Sequence, residues 1–165
     1  MMEVLEMIWQ LDVYLDRANR GDKEAAYISA HILYQMGESD ELVQTQLRRA
    51  AIAGLALASR ELAGLAFAGH LVPAGYNNKN EENCHAQGKK WLELAASQND
   101  IPSAALLSYC LSNGAMGFPK DPKAAMKYRS IVDVGSSNHD LLQDVVSILF
   151  WDAILKEPSK TGFFM

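Results

Sequence analysis

The chain has 165 residues, 49% of them hydrophobic and 21% charged, so one ordinary core can hold it and no disordered tract is expected. Fifteen basic residues against twenty acidic ones leave a net charge of −5, which argues against a nucleic-acid surface, because phosphate binding draws on clustered Lys and Arg. No stretch approaches the ~20 apolar residues of a membrane span, and Met1, Met2 and Glu3 open an acidic amphipathic helix rather than an export signal.

The first predicted element is that helix, over residues 2–20, with Glu3, Glu6, Asp12 and Asp16 along it. It closes at Gly21, the first of four anchors, Gly21, Gly54, Asn99 and Gly135, each placed where a helix C-cap in the left-handed region favours Gly or Asn. Three residues before the anchors stand Ala18, Ala51, Ala96 and Val132, and seven before stand Tyr14, Leu47, Leu92 and Tyr128. Their separation of four puts both sets on one helix face, predicted to be core.

Four residues after the anchors come Ala25, Ala58, Ser103 and His139, opening a second helix that ends near Gly37, Gly69 and Gly114 in the first three copies. Helix thus follows helix, with strands nearly absent. The anchors lie 33 (21 to 54), 45 (54 to 99) and 36 (99 to 135) residues apart, the period of a helix-turn-helix repeat with one copy lengthened. The lengthening is a polar insertion over 71–87, containing Tyr76, Asn77, Asn78, Lys79, Asn80, Glu81 and Glu82, and is expected to be a surface loop. The whole chain, 1–165, reads as one helical-repeat domain: an N-terminal capping helix at 2–20, three helix pairs over 22–138, a C-terminal capping helix at 139–156 and a tail at 157–165.

The segment from Ser103 to Gly135 resembles the Sel-one-like repeat, a relative of the tetratricopeptide repeat, through Gly114, Gly117, Pro119, Asp121, Lys123, Ala124, Tyr128 and Gly135. The second copy adds Gly69, Val72, Lys90, Trp91, Ala95 and Ala96, with Asn99 in place of the closing Gly; the first keeps Tyr34, Gly37, Ala50, Ala51 and Gly54. The resemblance covers about residues 18–138. It implies an all-α fold, a right-handed α-solenoid of stacked antiparallel helix pairs, whose usual work is to hold other proteins.

Signatures of catalysis are missing from the sequence: no phosphate loop, no dinucleotide fingerprint, no His-Glu-x-x-His and no nucleophile elbow. No cofactor or metal is expected, since Cys84, His85 and His70 lack ligand spacing. Cys110 reads as a buried small hydrophobe, and Cys84 as an incidental loop residue. Two unpaired cysteines fit a reducing compartment, hence the cytoplasm. His31, His70, His85 and His139 fall one per segment and read as surface or helix-end residues. Trp9, Trp91 and Trp151 read as packing residues.

Two candidate binding surfaces emerge. Counting at 100° per residue along the first helix of each pair, Ile28, Ile32 and Gln35, then Arg60, Gly64 and Phe67, then Ala105, Tyr109 and Ser112 point away from the core, flanked by Tyr27, His31 and Tyr34. Aromatic residues, Arg and small polar groups suit an interface, and Tyr27, His31, Gln35, Arg60, Phe67, Tyr109 and Ser112 are the residues expected to meet a partner there. Packing against a neighbouring helix is the competing reading of Ile28, Ile32 and Phe67. The second surface is the insertion, through Tyr76, Asn78, Lys79 and Glu81.

The function expected is an adaptor that binds a protein or peptide and neither nucleic acid nor membrane, with no oligomeric state implied. The alternatives are an immunity protein that blocks a toxin by covering it and, more remotely, a hydrolase, which would need a pair of acids in a real pocket.

Overall fold

A computed structural model describes residues 2–71 and 81–136 of the chain. Among them are seven helices and no strand: α1 (Met2–Asn19), α2 (Lys23–Gln35), α3 (Asp40–Ile52), α4 (Ala56–Phe67), α5 (Glu81–Ser97), α6 (Ile101–Asn113) and α7 (Pro122–Ser136). The all-α expectation holds. The expected closing helix at 139–156 and the tail at 157–165 lie outside the described residues.

The joints between helices follow from the anchor residues. At Gly21, Gly37, Gly54, Gly69 and Asn99 the backbone turns into the left-handed region, with φ of 96°, 74°, 110°, 72° and 64°. In each case the next N–H reaches back over the turn to a carbonyl five residues earlier: Asp22 to Arg17 at 3.1 Å, Glu38 to Leu33 at 3.0 Å, Leu55 to Ala50 at 3.0 Å, His70 to Leu65 at 2.9 Å and Asp100 to Ala95 at 3.1 Å. This is the Schellman closure, which satisfies carbonyls that a helix end would otherwise leave open.

Three of these joints place the next N-cap, Asp22, Leu55 or Asp100, directly after the turn, and in two of them its side chain caps the helix. Asp22 Oδ1 accepts from the Ala25 N–H at 3.0 Å, and Asp100 Oδ2 accepts from the Ser103 N–H at 3.2 Å. Helix end and helix start therefore share adjacent residues, and α1–α2 and α5–α6 have almost no loop between them.

Gly135 behaves differently from the expectation. It lies inside α7 with no left-handed turn. Its missing side chain makes room for a neighbour instead, because a Cβ there would stand 2.0 Å from Ile101 Cδ1. The last copy is therefore not closed at this position.

Each helix packs chiefly on its neighbours in sequence, from α1 on α2 through to α6 on α7. Small residues permit the close approach: Ala25, Ala26, Ala58, Ser59, Ser103 and Ala104 are all fully buried at the starts of α2, α4 and α6. Ala18, Ala51 and Ala96, three residues before their turns, are buried as the spacing predicts. Between them Leu62, Leu92 and Leu107 fill the centre without exposure. Each such leucine holds about 2–5 kcal/mol against truncation to Ala.

Buried polar side chains stitch the layers. Gln98 Nε2 donates to the Ala51 carbonyl at 3.0 Å, and Gln98 Oε1 accepts from Ser59 Oγ at 2.8 Å, so one amide ties the ends of α3 and α5 to α4. Gln44 Nε2 donates to the His70 carbonyl at 2.8 Å. Each satisfies groups that burial would otherwise penalise.

The tryptophans divide. Trp91 is buried in the core as expected, but Trp9 on α1 is 68% exposed, on a side of the helix that no described element covers; Trp151 lies outside the described residues. The insertion also divides: residues 81–87 form the first two turns of α5, and Cys84 is buried there instead of sitting in a loop.

Candidate functional site

The Schellman joints set a common register, and in that register α2, α4 and α6 present equivalent positions. Seven residues after each turn stand Ile28, Glu61 and Leu106. A carboxylate thus occupies, on α4, a place that is aliphatic on the other two helices. Around it the structure assembles a polar cluster from two helices.

On α2, Tyr27 and His31 are one turn apart, and their rings meet at 4.6 Å between centroids, tilted by 53°. Both reach across to α4. Tyr27 Oη donates to Glu61 Oε1 at 2.5 Å, and His31 Nε2 lies 3.1 Å from the same oxygen. About half of the His31 side chain and a third of Glu61 remain in solvent, with side-chain exposures of 48% and 36%.

The electrostatics follow from these contacts. The hydrogen bond to Glu61 is the main reason that the His31 imidazole holds its proton above the ordinary value of 6.5, against the opposing pull of burial. Burial, followed by the bond to Glu61 and its charge, pushes the Tyr27 phenol up from 10.0, with Arg60 opposing; Tyr27 is therefore a permanent donor, not a base. The arrangement can recognise charge and hydrogen-bond partners at a surface.

Two of the residues predicted for this face do other work. Arg60 points to the joint between α5 and α6, where Nη2 meets Asp100 Oδ1 at 3.1 Å with only 19% and 7% of the two side chains exposed. Asp100 is at the same time the N-cap of α6, so Arg60 fastens α4 to that joint and is not offered outward. Phe67 is fully buried. In α2 and α6 the equivalent positions, Tyr34 and Ser112, are exposed, but α5 starts a turn earlier relative to its closing residue than α3 does, and it covers Phe67. The ring lies on Gly88, where a Cβ would come within 2.4 Å of it. Ile32 and Gly64, counted as outward-facing, are also buried, and Ile28 is half-buried.

The remaining predicted residues keep their exposure. Gln35 ends α2, Tyr34 is 70% exposed beside it, and Tyr109 and Ser112 are exposed on α6. Tyr109 and Ser112 make no side-chain contact with the Tyr27, His31 and Glu61 group among the described residues. Of the insertion, Tyr76, Asn78 and Lys79 lie outside the described residues, and Glu81 is the first residue of α5.

Glu61 is the residue that sequence reasoning missed. The signal was available in the register of the repeat, as an acid where the other copies carry Ile28 and Leu106.

Elsewhere, no group of three or more His, Cys, Asp or Glu among the described residues could hold a metal ion, and none of the described helices is long and apolar enough to cross a membrane. Cys84 and Cys110 are both buried and form no disulfide, and burial pushes the Cys110 thiol up to about 12, which keeps it protonated. Compared with family models, with curated proteins and with solved structures, the chain matches none.

Proposed function

We propose that this chain is a right-handed α-solenoid of the Sel-one-like kind and that it works as a binding module, without catalysis, docking a protein or peptide on the face made by α2, α4 and α6. The observation that carries the reading is the half-exposed Tyr27, His31 and Glu61 group with Tyr34 one turn beyond it, an aromatic and ionic surface of the kind interface anchors favour. The repeated Schellman joints at 21, 54 and 99 and the packing of each helix on its sequence neighbours support the solenoid. Two buried cysteines that form no disulfide support a reducing compartment, and with it the cytoplasm.

The test starts with capture of a partner from the native host, followed by calorimetry of the two purified proteins. A Tyr34→Ala, Tyr109→Ala double variant should weaken the complex by about tenfold or more, because aromatic anchors carry most of such energies. Trp9→Ala, on α1, should leave it unchanged. The reading fails if the double variant binds as the wild type does, or if Trp9→Ala is the substitution that abolishes binding.

A further inference from the structure

The helices of the proposed docking face carry few charges. α6 has none, and α2 and α4 together hold Lys23, Glu24, His31, Arg60 and Glu61. Both full cations are engaged elsewhere. Arg60 is tied to Asp100 at 3.1 Å. Lys23 carries its ammonium to the end of α3, 3.8 Å from where a Cβ of Gly54 would stand, where it meets the negative end of that helix. Apart from His31, which is bound to Glu61, the charge these helices leave outward is acidic.

Glu61 is the centre of that acidity, and its geometry is asymmetric. Tyr27 and His31 both bind Oε1. Oε2 has no partner among the described residues, and the side chain keeps about a third of its surface in water. A carboxylate with one oxygen held by two neighbours is fixed in orientation, and its second oxygen keeps its capacity to accept. Next to it is the Tyr27 ring, whose hydroxyl donates to the same carboxylate. An aromatic ring beside a carboxylate suits a guanidinium or ammonium group, through cation–π contact and a charge-assisted hydrogen bond together. An acidic partner group would meet the like charge of Glu61, and the cation beside it, His31, is already bound to Oε1.

We propose that Glu61 Oε2, beside Tyr27, receives a cationic side chain of the docked partner, so that the segment recognised is basic and presents an Arg or Lys at this point. The proposal rests on the docking reading above and adds the chemistry of the partner to it. His31 acts here as a positioning residue, holding the carboxylate from Oε1.

The test is a titration of the full-length ¹⁵N-labelled protein with acetylated, amidated pentapeptides, Gly-Ser-Arg-Ser-Gly and its Gln and Glu counterparts, followed by amide shifts. The Arg peptide should move the signals of Tyr27, His31 and Glu61 and bind about tenfold more tightly than the Gln peptide, with the Glu peptide weakest. In Glu61→Gln the preference for Arg over Gln should vanish. If that variant melts before it can be titrated, the three-peptide contrast on the wild type decides alone. Equal binding of the Arg and Gln peptides at these residues would overturn the cationic assignment and leave the docking face standing. Shifts confined to other helices, or none from any peptide, would overturn the cationic site as well, and the fate of the docking reading would then rest on the tyrosine variants described above.

Discussion

The two sides of α4 show how one repeat unit can serve two ends. Toward α2, α4 presents Glu61 to Tyr27 and His31, in a half-exposed seam held by hydrogen bonds. Toward α5 it drives Phe67 onto Gly88, in a seam where the ring is fully buried and tightly met. What differs is the partner: α2 brings polar side chains, whereas α5 brings a glycine and one extra turn. Stability is concentrated where side chains are buried and shape-matched, and adaptability where they are shared with water.

The comparison can be broken most forcefully on the buried side. Phe67→Ala should cost about 3–5 kcal/mol, read as a shift of the denaturant midpoint at unchanged slope, because it empties a ring-sized space under α5. A loss below about 1 kcal/mol would mean that α5 collapses into the gap and that the seam is not rigid. Next comes Gly88→Ala. A Cβ 2.4 to 2.6 Å from the Phe67 ring must displace it, and a loss of about 1–3 kcal/mol is expected. Coupling to Phe67→Leu in a double-mutant cycle should recover part of that loss.

On the polar side the effects shrink. Glu61→Gln removes an ionic acceptor at a partly hydrated site and should cost about 1 kcal/mol or less in chemical denaturation, while abolishing the preference for the Arg peptide. A large stability loss with peptide preference intact would reverse the roles of the two seams.

The smallest effect is that of pH. His31 holds its proton more tightly in the fold than in the free chain, so its contribution is complete below the ordinary value of 6.5 and disappears as pH climbs through the raised value. The melting-temperature advantage of wild type over His31→Gln should thus be present at about pH 5.5 and absent by about pH 8.5. An advantage that grows with pH would show that the Glu61 contact does not stabilise the imidazolium.

The all-α class and the joints were legible in the sequence because their causes are local. A Gly or Asn at a helix end, with Ala three residues earlier, encodes the turn and the buried contact together, and Gly21, Gly54 and Asn99 behave accordingly. Gly135 shows where that logic stops: a glycine also serves close packing, and only the position of Ile101 reveals which use applies. The site was less legible for the same reason. Angular counting along α4 puts Phe67 outward in isolation, but an extra turn of α5, disguised as a polar insertion, covers it. Arg60 looked free because Asp100 lies forty residues away in sequence. Trp9 was read as core because its type is usually buried, yet no described element covers its side of α1. His31 and Tyr109 kept their exposure, whereas Tyr27 is half-buried against Glu61 of α4.

The back-to-back joints have a consequence for degradation. A protease must draw several consecutive residues into an extended strand, and at Gly21–Asp22 and Asn99–Asp100 the backbone is hydrogen-bonded on both sides of the bond to be cut. Cleavage there must wait until a helix end unwinds, so the nicking rate under native conditions measures the free energy of opening one helix pair. These joints are thus checkpoints of turnover, and the chain surrenders to digestion pair by pair.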